Sequence, residues 1–141
     1  MMIIPWDQLH GAMTHFPIAL LLFSATCDYV AVAFWKMPFA RRLRTVSYYG
    51  LIGAALGSIG AVASGIVLAH GIVWGRGDLL FHQRFVWPAF GLLIGLSVWR
   101  LVVRDAMSRP GRCLYLVLMA LASGCVAAAG YFGGELLLKG G

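Results

Sequence analysis

Apolar residues along this chain fall in four long blocks, about 16–35, 46–69, 85–103 and 113–138, separated by three short polar stretches. Each block is close to the roughly 20 residues a helix needs to cross the hydrocarbon core of a bilayer. The connecting stretches, "KMPFARRLRT", "HGIVWGRGDLLFHQR" and "RDAMSRPGR", leave no room for a linker or a soluble domain. The pattern therefore predicts an all-α fold, a four-helix transmembrane bundle forming one integral membrane domain over residues 1–141. The first block is expected to stay as a helix, because it lacks the basic n-region and small-residue cleavage site of a signal peptide.

Composition agrees with that reading. Of 141 residues, 61% are hydrophobic and only 11% are charged, with a mean hydropathy of +0.85. A soluble domain carries about 25% charged residues, so this chain has too few to wet a globular surface. Its three cysteines, Cys27, Cys113 and Cys125, lack CxxC spacing, which excludes a zinc ribbon or a disulfide framework.

The net charge of +6 could point to nucleic acid, but no basic stripe interleaves with aromatics. Topology accounts for it better. The first and third connections, with Arg100 at a helix edge, hold Lys36, Arg41, Arg42, Arg44, Arg100, Arg104, Arg109 and Arg112; the other side holds Arg76, Arg84 and Lys139. Short basic loops stay in the cytoplasm, so both termini are expected in the periplasm and the chain in a bacterial inner membrane.

Helices in lipid meet through small residues that let backbones approach. Gly53, Gly57, Ala61, Gly65 and Ala69 recur every four residues in helix two. Gly91 and Gly95 do so in helix three; Ala120, Gly124 and Ala128, then Gly130 and Gly134, in helix four. These are expected to be packing seams. Asp28, deep in helix one, is costly in lipid and should face the bundle and pair with Arg100 or Arg44.

His10, His15, His70 and His82 all fall at one end of an antiparallel bundle, with Asp7, Asp78, Tyr131 and Glu135 on the same rim. Thr14 is placed to cap a helix whose first turn contains Pro17. Five residues separate His10 from His15, about 140° of helix rotation, so the two rings need not share a ligand. For any single rim histidine, a hydrogen bond at headgroup level is the plainer role. Four together favour a site.

The stretch "HGAMTHFPIALLLFSATCDYV" resembles the H-P-x-x-x-H-F-P-I-A-L opening of a bacterial four-helix membrane family known as domain of unknown function twenty-two thirty-one. "GSIGAVASG" resembles its second helix, His82 the histidine that opens its third, and "GYFGGEL" its closing motif. The resemblance covers nearly the whole chain, and fusions of this family to Rieske iron–sulfur or cytochrome c domains imply redox partners. This chain departs from the family where Gly11 replaces a proline and Gly140 stands in place of a final histidine, for which His70 is the substitute. Val86 likewise stands where the family often carries Asn.

These observations lead to a membrane subunit of a periplasm-facing electron-transfer complex that binds haem b, or contacts quinone, through rim histidines. Facing imidazoles are haem's usual ligands within membrane bundles. The expected axial pair is His15 and His82, with His70 next and His10 last; Arg76 or Arg84 would meet the propionates, and Asp7, Asp78 or Glu135 the second ring nitrogens. The alternative is a cofactor-free anchor docking larger subunits through Trp6, Trp74 and Trp87. No nucleophile, phosphate loop or paired carboxylates point to an independent enzyme.

Overall fold

The computed structural model describes residues 6–104 and 106–138, with side chains from Leu9 to Leu136. Four helices follow one another: α1 (Trp6–Ala33), α2 (Phe39–Leu68), α3 (Asp78–Val103) and α4 (Arg109–Leu138). Each is long and apolar enough to cross a membrane, and no strand occurs among the described residues. The chain is a multi-pass membrane protein.

All four helices begin earlier than the apolar blocks do. α1 runs straight through Pro17, which is buried inside the helix. Thr14 is therefore not a cap: its Oγ1 donates to the Gly11 carbonyl one turn back, 2.8 Å away. Proline removes one backbone donor, a loss that a membrane helix tolerates where it is packed against its neighbours, as Pro17 is against Gly57. α2 and α3 extend outward through charged turns that an apolar window cannot detect. α3 opens on Asp78, whose negative charge suits a helix N-terminus. α4 opens with Pro110 in its first turn and with Ser108 before it, whose Oγ accepts from the Gly111 N–H at 3.2 Å.

α1 packs chiefly on α2 and α3 on α4, and contact between the two pairs is thin. The helix-two small residues do form the first seam. Ser24 lies on Gly50, Leu20 on Gly53, Phe16 and Pro17 on Gly57, and the His10 ring on Gly65. The expected seams of α3 and α4 are not seams within this chain. A Cβ on Gly91, Gly95, Gly124, Gly130 or Gly134 would meet nothing within 4 Å. These glycines face out of the bundle because α3 and α4 meet through larger side chains, such as Trp99 edge-on to Tyr115 with ring centroids 6.3 Å apart.

The core is unevenly distributed along the bundle. Its large fully buried side chains, Leu21, Leu51, Leu96, Tyr115 and Met119, sit in the half toward the first and third loops. In the other half the buried positions are small or polar, such as Ser58, Ala61, Ser64, Gln83, Ala89 and Ala129. One end is tightly packed; the other, which carries the histidines, is not.

Candidate functional site: two clusters at opposite ends

At the tight end, every helix contributes to one buried polar cluster. Asp28 of α1 is 4% exposed, and a single carboxylate oxygen, Oδ2, accepts three hydrogen bonds. They come from Ser47 Oγ of α2 at 2.6 Å, Tyr115 Oη of α4 at 2.8 Å and Arg100 Nη1 of α3 at 3.1 Å. Arg100 Nη2 also donates to the Arg44 carbonyl at 3.1 Å, and its guanidinium lies over the Tyr115 ring. Asp28 thus faces the bundle and takes Arg100 as partner, as expected of a carboxylate in a membrane helix. Arg100 is correspondingly a buried ion-pair partner and not a loop charge. Ser47 and Tyr115 are not distinguished in the sequence, because a serine and a tyrosine among apolar residues carry no period of their own.

At the loose end, the helical rotation between His10 and His15 separates their roles. His10 is half-buried, and its Nδ1 lies 2.9 Å from Ser64 Oγ of α2. Ser64 Oγ in turn donates to the Ala61 carbonyl, so its single proton is committed there and His10 Nδ1–H is the donor between them. The His10 ring rests on Gly65, where a Cβ would come within 2.9 Å of Cε1. His82 of α3 is half-buried, and its Nδ1–H donates to the Ala129 carbonyl of α4 at 2.8 Å. Its ring rests on Gly133. Each imidazole therefore ties one helix pair together, and both lie at the same end of the bundle. Donation through Nδ1 leaves Nε2 of each ring as the nitrogen with a lone pair.

The expected pairing of His15 with His82 is not what the fold places together. His15 points outward, exposed, and its Nδ1–H donates to the Gly11 carbonyl of its own helix. His70 is exposed in the α2–α3 connection with φ 51. His10, ranked last from the sequence, is the inward ring of α1, half-buried against Ser64 and Gly65 at the same end of the bundle as His82. Its signal was Ser64 and Gly65, a small polar and a small apolar residue side by side on the facing helix.

The remaining rim residues are spread around this pair. Arg84 is exposed, its guanidinium 5.8 Å from the Phe81 ring centroid; Arg76 is exposed in the connection. Asp78 and Glu135 are half-buried, and neither is unpartnered. Tyr131 is exposed. Phe132 stacks between Phe81 and Phe85 at 5.7 and 5.6 Å, an aromatic ladder beside His82. Gln83, which the sequence did not single out, anchors the α2–α3 connection by accepting from Gly75 N–H at 2.6 Å and donating to the Ile72 carbonyl at 2.8 Å. Trp87 helps it through Nε1–H to the Val73 carbonyl at 3.1 Å, while Trp74 stays exposed. Lys139 and Gly140 lie outside the described residues, as do the side chains of Trp6 and Asp7.

Among the described residues no three His, Cys, Asp or Glu side chains converge on a point that could hold a metal ion. The cysteines do not approach the histidines as a set: Cys27 is buried near Asp28, Cys113 is exposed and Cys125 is half-buried.

A family model described as "Predicted membrane protein (DUF2231)" matches residues 7–141. No curated protein and no solved structure is similar enough to match the chain.

Proposed function

The chain belongs to the DUF2231 family of predicted membrane proteins, and on that premise we propose that it is a membrane subunit of an electron-transfer complex that holds haem b between His10 and His82. One observation carries the reading: two half-buried imidazoles, one from each helix pair and both at the same end of the bundle, have their Nδ1 atoms committed within their own pair, which leaves both Nε2 atoms to coordinate. Membrane ligand histidines are oriented in this way, by second-nitrogen hydrogen bonds that fix tautomer and ring plane. Three features of the surroundings support the reading. The seam between the two pairs is the weakly packed one, the buried residues along it are small, and a stacked phenylalanine ladder borders His82.

When bound, haem would supply a one-electron couple within the bilayer. The protein's own part is to fix both imidazoles, exclude lipid through Phe81, Phe85 and Phe132, and offer Arg84 and Arg76 at the water boundary. Guanidinium forks suit carboxylates, so these two are the residues for propionates. The basic loops favour an orientation with this end in the periplasm of a bacterial inner membrane, where cytochrome c or iron–sulfur partners or a quinone-using subunit would be met.

A specific observation favours a second reading, a cofactor-free anchor. Gly91 and Gly95 on α3 and Gly124 on α4 open onto the lipid-facing surface, where close helix approach by another subunit is possible. An absorption spectrum of the purified protein, oxidised and dithionite-reduced, separates the two. A sharpened reduced α-band with haem near one per chain supports haem binding. A protein folded in detergent that shows no band even after haem is added leaves the anchor as the account.

A further inference from the structure

The end of the bundle opposite the histidines carries a feature that neither the Asp28–Arg100 pair nor the proposed haem uses. A cavity of about 30 Å³ opens between the end of α1, the start of α2, the end of α3 and the start of α4. Arg44, Arg100, Arg104 and Arg112 line it, with Asp28 as its acid. Arg100 is already matched to Asp28 by a 3.1 Å ion pair. Among the described residues four arginines and one carboxylate line this small opening, an excess of three positive charges. Arg44 and Arg112 are half-buried there, a place where guanidinium groups gain from an anion. Arg104 closes α3 with φ 48, a positive value that favours glycine, so this arginine sits on a strained backbone.

The size of the cavity limits what it takes. A volume of this order holds about two water-sized atoms, enough for two oxygens of a phosphate whose remainder stays outside the opening, but not for a ring system. Arg44 also borders a second, larger hollow of about 410 Å³, whose other walls are Trp35, Met37, Pro38, Ala40 and Arg41. The small cavity is also lined by Val32, Met107 and Leu116. A guanidinium-ringed opening beside an apolar and aromatic hollow, at the water boundary of a transmembrane bundle, matches an amphiphile with an anionic head.

We propose that Arg44, Arg104 and Arg112 form a binding site for a phosphate anion, supplied by the headgroup of an anionic phospholipid. Arginine forks bind phosphate oxygens bidentately, and basic pockets between membrane helices are suited to such heads. Arg100 holds the floor in place through Asp28 and the Arg44 carbonyl, and its charge is already spent.

The test is thermal unfolding of the purified chain in a neutral detergent, titrated separately with phosphatidylglycerol, phosphatidylcholine and inorganic phosphate. Phosphatidylglycerol should raise the midpoint saturably, and phosphatidylcholine should not. Removing each arginine should weaken the apparent affinity about fivefold, so the double variant Arg104→Gln/Arg112→Gln binds about 25-fold more weakly. Arg42→Gln, an exposed arginine of α2 that lines neither hollow, should bind as the unaltered chain does. Inorganic phosphate giving the same saturable shift at the same concentration would assign the site to free phosphate. Equal shifts with both lipids, or a double variant that binds phosphatidylglycerol undiminished, would overturn the site. Should the double variant not fold, retention of phosphatidylglycerol over phosphatidylcholine by the unaltered chain and by Arg112→Gln, read by native mass spectrometry, decides the same question.

Discussion

Asp28 and Arg100, 72 residues apart in the chain, meet at 3.1 Å in a cluster where all four helices contribute a polar group around a single oxygen. The two pairs α1–α2 and α3–α4 have little other contact, so this cluster is the main polar tie between them, assisted by Tyr29 Oη donating to the Leu116 carbonyl at 2.7 Å and Ser97 Oγ to the Leu51 carbonyl at 3.2 Å. A buried ion pair is not in itself a large net stabiliser, but removing one partner strands the other charge.

Arg100→Met should therefore destabilise the protein by about 3–5 kcal/mol. The double change Asp28→Leu/Arg100→Met should recover most of that loss, because no buried charge is left over. Unfolding midpoints in neutral detergent check both. A single variant as stable as the unaltered chain would mean that Ser47 and Tyr115 alone suffice for Asp28.

The four rim histidines should differ in their effect on haem. His10→Ala and His82→Ala should each abolish the reduced α-band, while His15→Ala and His70→Ala should leave it in place. Difference spectra of the four purified variants, with folding checked by circular dichroism, are the measurement. A band lost in His15→Ala and kept in His10→Ala would restore the pairing that the opening motif alone suggests.

Glycines of the same spacing should respond in opposite ways to an added methyl group. Gly65→Ala forces a Cβ to within 2.9 Å of the His10 ring, so the ring must move off Ser64, at a cost of about 1–3 kcal/mol. Gly91→Ala meets open space and should be neutral in the isolated chain. Paired thermal melts decide it. A loss of stability for Gly91→Ala in the native membrane but not in detergent would identify that face as a contact with another chain.

Topology follows from the basic loops. Single cysteines placed at residues 36–45 and 106–112 of a cysteine-free chain should react with a membrane-impermeant maleimide only after the cells are opened, and those at 70–84 in intact cells. Labelling of the first loop from outside would invert the orientation and turn the histidine end toward the cytoplasm.

Hydrophobic blocks and short connections were enough to determine four membrane helices, because the bilayer forces every backbone group into internal hydrogen bonds and leaves few alternatives. Asp28 was legible for the same reason: a carboxylate in lipid must face inward, and Arg100 was among its few possible partners. Helix ends were not legible, since the outer turns of α1, α2 and α3 are polar or interrupted by Pro17 and carry no apolar period. Nor was the ranking of the histidines. The sequence showed that His10 and His15 point about 140° apart along one helix, but which of the two directions is inward depends on where α2 lies. Ser64 and Gly65 settle that by offering His10 a hydroxyl and a surface without a Cβ. Likewise, a glycine every fourth residue looks the same in α2 and in α3; only the packing of neighbouring helices decides that Gly65 carries a ring and Gly91 faces outward, because a small residue permits close approach without selecting the partner that makes it.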